Sequence, residues 1–341
     1  MKAAVWDAIN HVSICEKQNP VADEGHVVVK VKAIGVCATD VHIISGNIAL
    51  AKPPHVLGHE ITGVVDEIGQ GVKGWKKGDR VVIDTIISCG RCPACKRGRK
   101  ELCPEKMEIG YPPYDGGYAE YVRVPAQCLV KLPEEIPFKD AAILESVACP
   151  FGAVLRIGVK PGSTVLVQGA GPAGIAFVQA AKLSGAGKII VSARGEKRLE
   201  YAKSFGADEI INAKNENVLD RVMELTNGEG CDYVMDAAGA VESILLCFDA
   251  CKTGGDVLFY GIPDEKAQIS FPFMKMLIKQ LRLHGILEYC AGWDSLVSLV
   301  ASGRLNVHDM VTHTFTLDEL PKAVELLKSK DRSLIKAVVE M

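Results

Sequence analysis

The chain has no apolar run long enough to span a membrane, no surplus of one charge, and no internal repeat or low-complexity stretch. A membrane helix needs about 20 consecutive apolar residues, so none is expected. The formal net charge is only -3 over 341 residues, which gives no electrostatic case for nucleic acid or an anionic membrane. The opening Met1-Lys2-Ala3-Ala4-Val5-Trp6-Asp7 carries charge early and lacks the apolar core of a signal peptide. The expectation is a cytoplasmic protein with reduced thiols. Cysteine, by contrast, is abundant: there are twelve. In a reducing compartment, metal binding is the first explanation for any that cluster. The length suits two domains, each with a buried core.

Two cysteine settings stand out. Cys37 lies in Gly35-Val36-Cys37-Ala38-Thr39-Asp40-Val41-His42, and Leu57-Gly58-His59-Glu60 follows after a loop. Cys37, His59 and Glu60 offer a thiolate, an imidazole and a carboxylate, a set that suits zinc and leaves a coordination position open. Thr39 and His42 follow Cys37 closely enough to line the same pocket and carry a proton away from it. A buried apolar cysteine and a hydrogen-bonded histidine would be the plainer reading of either residue alone. The second setting is Cys89-x2-Cys92-x2-Cys95-x7-Cys103. Four thiols so close can enclose one tetrahedral ion, in a lobe with too little apolar content to order itself otherwise. Pro104 after the last cysteine also fits an iron–sulfur run, but the seven-residue final spacing favours structural zinc.

The surrounding pattern is β-rich. Val27 to Ala33, Ile61 to Val65 and Gly78 to Ile83 are β-branched segments punctuated by glycine, which suggests a compact rolled antiparallel domain. Glu145 sits in an apolar helical run. It reads either as a surface residue or as a further carboxylate ligand that exchanges with water. From Gly162 the texture changes. An apolar strand, Thr164 to Gln168, runs into Gly169-Ala170-Gly171-Pro172-Ala173-Gly174 and then a helical run. That context makes the glycine pattern a dinucleotide-binding turn. Strands and helices alternate onward to Gly261, which predicts a doubly wound parallel sheet. Where an NAD site places an acidic residue, this chain has Ser192-Ala193-Arg194, with Arg198 nearby. An uncharged residue beside guanidinium groups suits a 2′-phosphate, hence NADP. The other reading has Glu196 hold the ribose and the arginines face solvent. After about residue 282 the chain is expected to leave the nucleotide domain, with the tail Leu334 to Val339 returning to the first domain as a strand.

Taken together, these motifs resemble the zinc-containing medium-chain dehydrogenase/reductase family, most closely its sorbitol (polyol) and threonine dehydrogenase branches. The resemblance spans nearly the whole length. It implies an α/β protein with a chaperonin-10-like β-rich catalytic domain (1–149 and 283–341) and a Rossmann nucleotide-binding domain (150–282). It implies one catalytic zinc on Cys37, His59 and Glu60, with Glu145 as an alternating ligand. Cys89, Cys92, Cys95 and Cys103 match its structural zinc site, Thr39 and His42 its proton relay, and Asp40 the partner that orients the zinc histidine. The implied activity is hydride transfer between a small secondary alcohol and NADP, or NAD with lower expectation. A homo-oligomer, tetrameric by analogy, is expected, without nucleic acid or membrane partners. Two positions depart from the polyol pattern. Ile43 stands where a tyrosine is usual, and Glu288-Tyr289 stands where an arginine precedes the tyrosine. A threonine or amino-alcohol dehydrogenase using NAD, with Glu288 facing an ammonium group, is therefore the alternative. A catalytically silent nucleotide-binding relative is the non-enzyme rival; loss of Cys37, His59 or the relay would have pointed to it, and all are present.

Overall fold

The computed structural model describes residues 1–264, 266–289, 292–329 and 333–341. The chain forms two compact units, Met1–Ala148 with 290–341, and Cys149–Tyr289. Among the described residues no helix is long and apolar enough to cross a membrane.

The first unit is organised on the strand His26–Val36. Its valines are stiff at χ1 and fit a pleated surface, and Val27, Val29, Val31 and Ile34 enter the core. Glu60–Ile68, Tyr121–Pro125 and Lys336–Glu340 all pair antiparallel with it. The sheet continues through Arg80–Ile83 to Leu129–Lys131 on one side and ends at Val311–Thr316 on the other. Register decides what meets at the end of this strand. Gly35 lies opposite Glu60 and Val36 opposite Ala337, so Cys37, Glu60 and Lys336 gather within two residues of each other along the sheet. Gly35 has a steric reason to be glycine: a Cβ there would fall 1.8 Å from Glu60 Oε2. The helix Leu320–Lys328 closes the core with Leu320, Ala323 and Val324, an i, i+3, i+4 stripe.

The second unit is a six-stranded parallel sheet. Its spatial order is Glu209–Asn212, Lys188–Ala193, Thr164–Gln168, Cys231–Asp236, Cys251–Phe259, Arg282–Gly285. Strand order reverses beside Thr164–Gln168, and the carboxyl ends of the strands flanking that point are where such sheets bind nucleotides. Val165 to Val167 and Ile189 to Val191 are buried, as expected where helices cover both faces. The sheet runs one strand further than the apolar pattern suggested. Arg282-Leu283-His284-Gly285 has little strand character of its own. It is pinned because Arg282 Nε and His284 Nε2 each lie 2.8 Å from Asp256 Oδ1 on the neighbouring strand.

Candidate active site

Cys37 ends the central strand and stands as N-cap of the helix Ala38–Ile44. His59 immediately precedes the strand that Glu60 opens. One ligand atom each from Cys37, His59 and Glu60 lies within 4.8 Å of the others. Glu60 is fully buried, and its two oxygens differ. Oε1 accepts from Lys336 Nζ and from Ser146 Oγ, both at 2.5 Å, while Lys336 Nζ also donates to Ser146 Oγ at 2.7 Å. Oε2 is buried without a hydrogen-bond partner. An orphaned carboxylate oxygen beside a thiol and an imidazole is costly unless something fills the gap, and a divalent cation would. Glu145, in the first turn of the helix Leu144–Ile157, lies outside this three-residue group. Burial, reinforced by Glu60, pushes its carboxyl up to about 7.

His59 is held from behind. Its Nδ1 is 3.2 Å from the hydroxyl of Tyr111 and 3.3 Å from Asp40 Oδ1. The other oxygen of Asp40 accepts from Tyr118 Oη at 2.8 Å. With Nδ1 engaged, Nε2 is the nitrogen left for a metal. Burial opposes charge on this imidazole, yet Tyr111, Asp40 and Cys37 together hold its pKa well above the ordinary histidine value. Thr39 is half-buried and His42 exposed on the same short helix. Their i, i+3 spacing puts both on one face.

The four-cysteine lobe is compact. Ligand atoms of Cys89, Cys92, Cys95 and Cys103 all lie within 4.8 Å of one another. Backbone N–H groups of Cys89, Cys92 and Cys95 each donate to a sulfur at 3.4 Å. Hydrogen bonds from the backbone of Arg91 and Cys92 bring the Cys89 thiol down to about 7. Donors aimed at sulfur stabilise thiolates, the form a metal requires. Both ligand sets therefore fit zinc.

In the second unit Gly171 caps the helix Pro172–Leu183, with Pro172 at its first position and Ala173 next. Gly169 has φ +104, and a Cβ on Gly174 would fall 1.9 Å from the Gly169 carbonyl oxygen. The turn is thus closed tightly on itself and leaves helix-terminal N–H groups for an anion. The Gly169 N–H donates to Ser192 O at 2.8 Å, which ties the turn to the end of the second strand. Ser192 is buried and Ala193 ends that strand. Arg194 is exposed, and Arg198 is half-buried with Nη1 4.0 Å from where a Cβ of Gly171 would be.

The structure thus brings Cys37, His59 and Glu60 together, and likewise Cys89, Cys92, Cys95 and Cys103, while Glu145 lies outside the first group. Reasoning from sequence missed Ser146, Lys336, Tyr111 and Tyr118. A lysine inside Leu334-Ile335-Lys336-Ala337-Val338-Val339 was the one available signal, because a lysine in a buried strand needs a partner.

Comparison with known proteins agrees with this geometry. Residues 23–134 match the model of the alcohol dehydrogenase GroES-like domain. Residues 172–302 match that of the zinc-binding dehydrogenases. The chain is 32% identical to the sorbitol dehydrogenase of Bacillus subtilis over 346 aligned positions, covering 99% of this chain and 97% of that one. The chain belongs to the zinc-binding alcohol dehydrogenase family. Within that family it is also 36% identical over 322 positions to the L-threonine 3-dehydrogenase of Pyrococcus horikoshii, covering 93% of this chain and 92% of that one. Among solved structures, the alcohol dehydrogenase of Thermus sp. ATN1 superposes with a TM-score of 0.93 at 33% identity, over 100% of this chain and 99% of that one. The protein is thus a zinc-dependent dehydrogenase acting on CH–OH groups, with a GroES-like domain and a Rossmann domain. Small molecules are the substrates of such enzymes.

Proposed function

We propose that this dehydrogenase exchanges a hydride between a small secondary alcohol, of the polyol class, and NADP. The observation that carries the reading is the convergence of Cys37, His59 and Glu60 within 4.8 Å, with one buried oxygen of Glu60 lacking a hydrogen-bond partner. Zinc bound there supplies Lewis acidity toward the alcohol oxygen, and the nicotinamide supplies the hydride acceptor. The chain's own residues do the rest. Cys37 and His59 are the fixed ligands. Glu60 keeps Oε1 in the Lys336–Ser146 clamp and offers Oε2. Glu145, in the first turn of the helix Leu144–Ile157, would be the alternating carboxylate ligand. Thr39 takes the substrate proton within the pocket, and His42, exposed one turn on, releases it to solvent. The cysteine lobe holds the structural zinc. An activity screen over polyols, ketoses, secondary alcohols and threonine with each nicotinamide cofactor, with metal analysis of the same sample, tests the reading. Turnover of none of these by a zinc-loaded sample would remove it.

Cofactor preference rests on the residues after the second strand. Ala193 and Arg194, rather than an acidic residue, come directly after Ser192, and Arg198 reaches back toward Gly171. Arg194 and Arg198 suit a 2′-phosphate as charge-assisted donors, worth about 1.5–3 kcal/mol each. Arg194→Ala and Arg198→Ala should each lower kcat/KM for NADP by about 10- to 100-fold and leave NAD kinetics nearly unchanged. An unaltered NADP/NAD ratio would overturn the assignment.

A second reading, a threonine or amino-alcohol dehydrogenase using NAD, has its own support. Glu288, a non-glycine residue, has φ +56. Backbone held in this region tends to serve a function, and a carboxylate would suit an ammonium group. The same substrate screen separates the two readings.

A homo-oligomer is supported by an apolar face on the second unit. The helix Phe273–Lys279 buries none of its residues, and Met274 and Ile278 are 65% and 71% exposed. It lies near the chain's edge strand Arg282–Gly285, whose outer side has no partner among the described residues. Exposed apolar faces of this kind mark protein interfaces. Light scattering should give a multimer, a tetramer by analogy, and Ile278→Glu with Met274→Glu should lower the mass. A monomeric wild type would refute it.

A further inference from the structure

We propose that Tyr111 is a positioning residue for the zinc histidine, accepting the hydrogen bond from His59 Nδ1–H while Asp40 supplies negative charge beside it. The inference rests on the reading that His59 is a zinc ligand. A histidine that binds metal through Nε2 must keep its Nδ1 protonated and its ring plane fixed, and the oxygen facing Nδ1 does both. Here two oxygens face it. Asp40 Oδ1 stands at 3.3 Å, just beyond the ordinary range for an N–H···O bond, and it makes no hydrogen bond in the structure. The Tyr111 hydroxyl stands at 3.2 Å, and its ring lies 5.8 Å from the imidazole at 43°. Asp40 is itself drawn the other way by Tyr118 Oη. The carboxylate thus supplies charge and the phenol supplies direction.

The loop that carries Tyr111 is built to hold it there. Ile109 N–H donates to Thr85 O at 3.0 Å and Tyr114 N–H to Tyr111 O at 2.9 Å. Gly117 N–H and Tyr118 N–H donate to Gly58 O and Leu57 O, at 2.8 and 3.1 Å. The segment before His59 and the segment after Tyr111 are therefore stitched together by backbone hydrogen bonds. Tyr111 is 8% exposed, so its hydroxyl has little water to replace His59 as partner.

Tyr111→Phe removes one oxygen and keeps the ring. Loss of a partner of this kind costs about 10- to 100-fold in metal affinity. Zinc release to a chelator, followed by a colorimetric dye, should show a slow phase from the cysteine lobe and a phase from the His59 site. In Tyr111→Phe the His59-site phase should speed by about tenfold or more and the lobe phase should not move. The cobalt-substituted variant should show a shifted visible d–d spectrum. Combining it with Asp40→Ala should cost more than the product of the single effects, because either oxygen can accept the proton when the other is gone. An unchanged His59-site phase and cobalt spectrum would overturn the proposal, as would a double variant equal to that product. His59→Ala is the separate control. If it still releases both zincs as wild type does, the reading of His59 as a ligand is what has failed.

Discussion

Cys37→Ser is expected to lower kcat/KM by about 10³-fold or more. Serine has nearly the same volume, so the strand end and the helix it caps should survive. What changes is the donor. A serine hydroxyl stays protonated near neutral pH, whereas zinc takes a thiolate. Lewis-acid stabilisation of a developing charge is worth several kcal/mol, and each 1.36 kcal/mol is about tenfold in rate. Metal analysis should show loss of the zinc at this site with the cysteine-lobe zinc retained, since Cys89, Cys92, Cys95 and Cys103 form a separate group. Near-normal turnover with full zinc content in Cys37→Ser would sink the mechanism.

The second large effect concerns a residue that touches no substrate. Lys336→Met should destabilise the first unit by about 3–5 kcal/mol, because it leaves the buried Glu60 carboxylate without its cation. Lys336 and Glu60 have side chains 5% and 0% exposed and lie 2.5 Å apart. Removing both charges is a different matter. A buried ion pair replaced by apolar groups of similar size is often neutral for stability. Lys336→Met with Glu60→Leu should therefore recover most of the loss in urea unfolding while activity stays low. A single variant as stable as wild type would show that Ser146 and the site's cation already balance Glu60, and the pair would lose its structural importance. The comparison separates two roles of Glu60, as one half of a buried pair and as a donor to the metal site.

The sequence by itself determined the chemistry that is available. Thiolate, imidazole and carboxylate at 37, 59 and 60, four cysteines between 89 and 103, and a glycine turn between a strand and a helix are patterns that lie within about twenty-five residues or fewer of sequence. Their chemistry can be read without a fold because neighbours in sequence stay neighbours in space. The strand Arg282–Gly285 was not legible, since side chains of Arg282 and His284 meeting Asp256 hold it in the sheet rather than any apolar period. The second layer of the metal site was not legible either. Lys336 meets Glu60 across 276 positions, Ser146 across 86, and Tyr111 meets His59 across 52. The register of Glu60–Ile68 and Lys336–Glu340 on His26–Val36 makes the Lys336–Glu60 pair, and the packing of a helix and a loop brings in Ser146 and Tyr111. A slip of one residue turns every side chain of a strand to the opposite face, so tertiary structure alone decided which oxygen of Glu60 is clamped and which is left open.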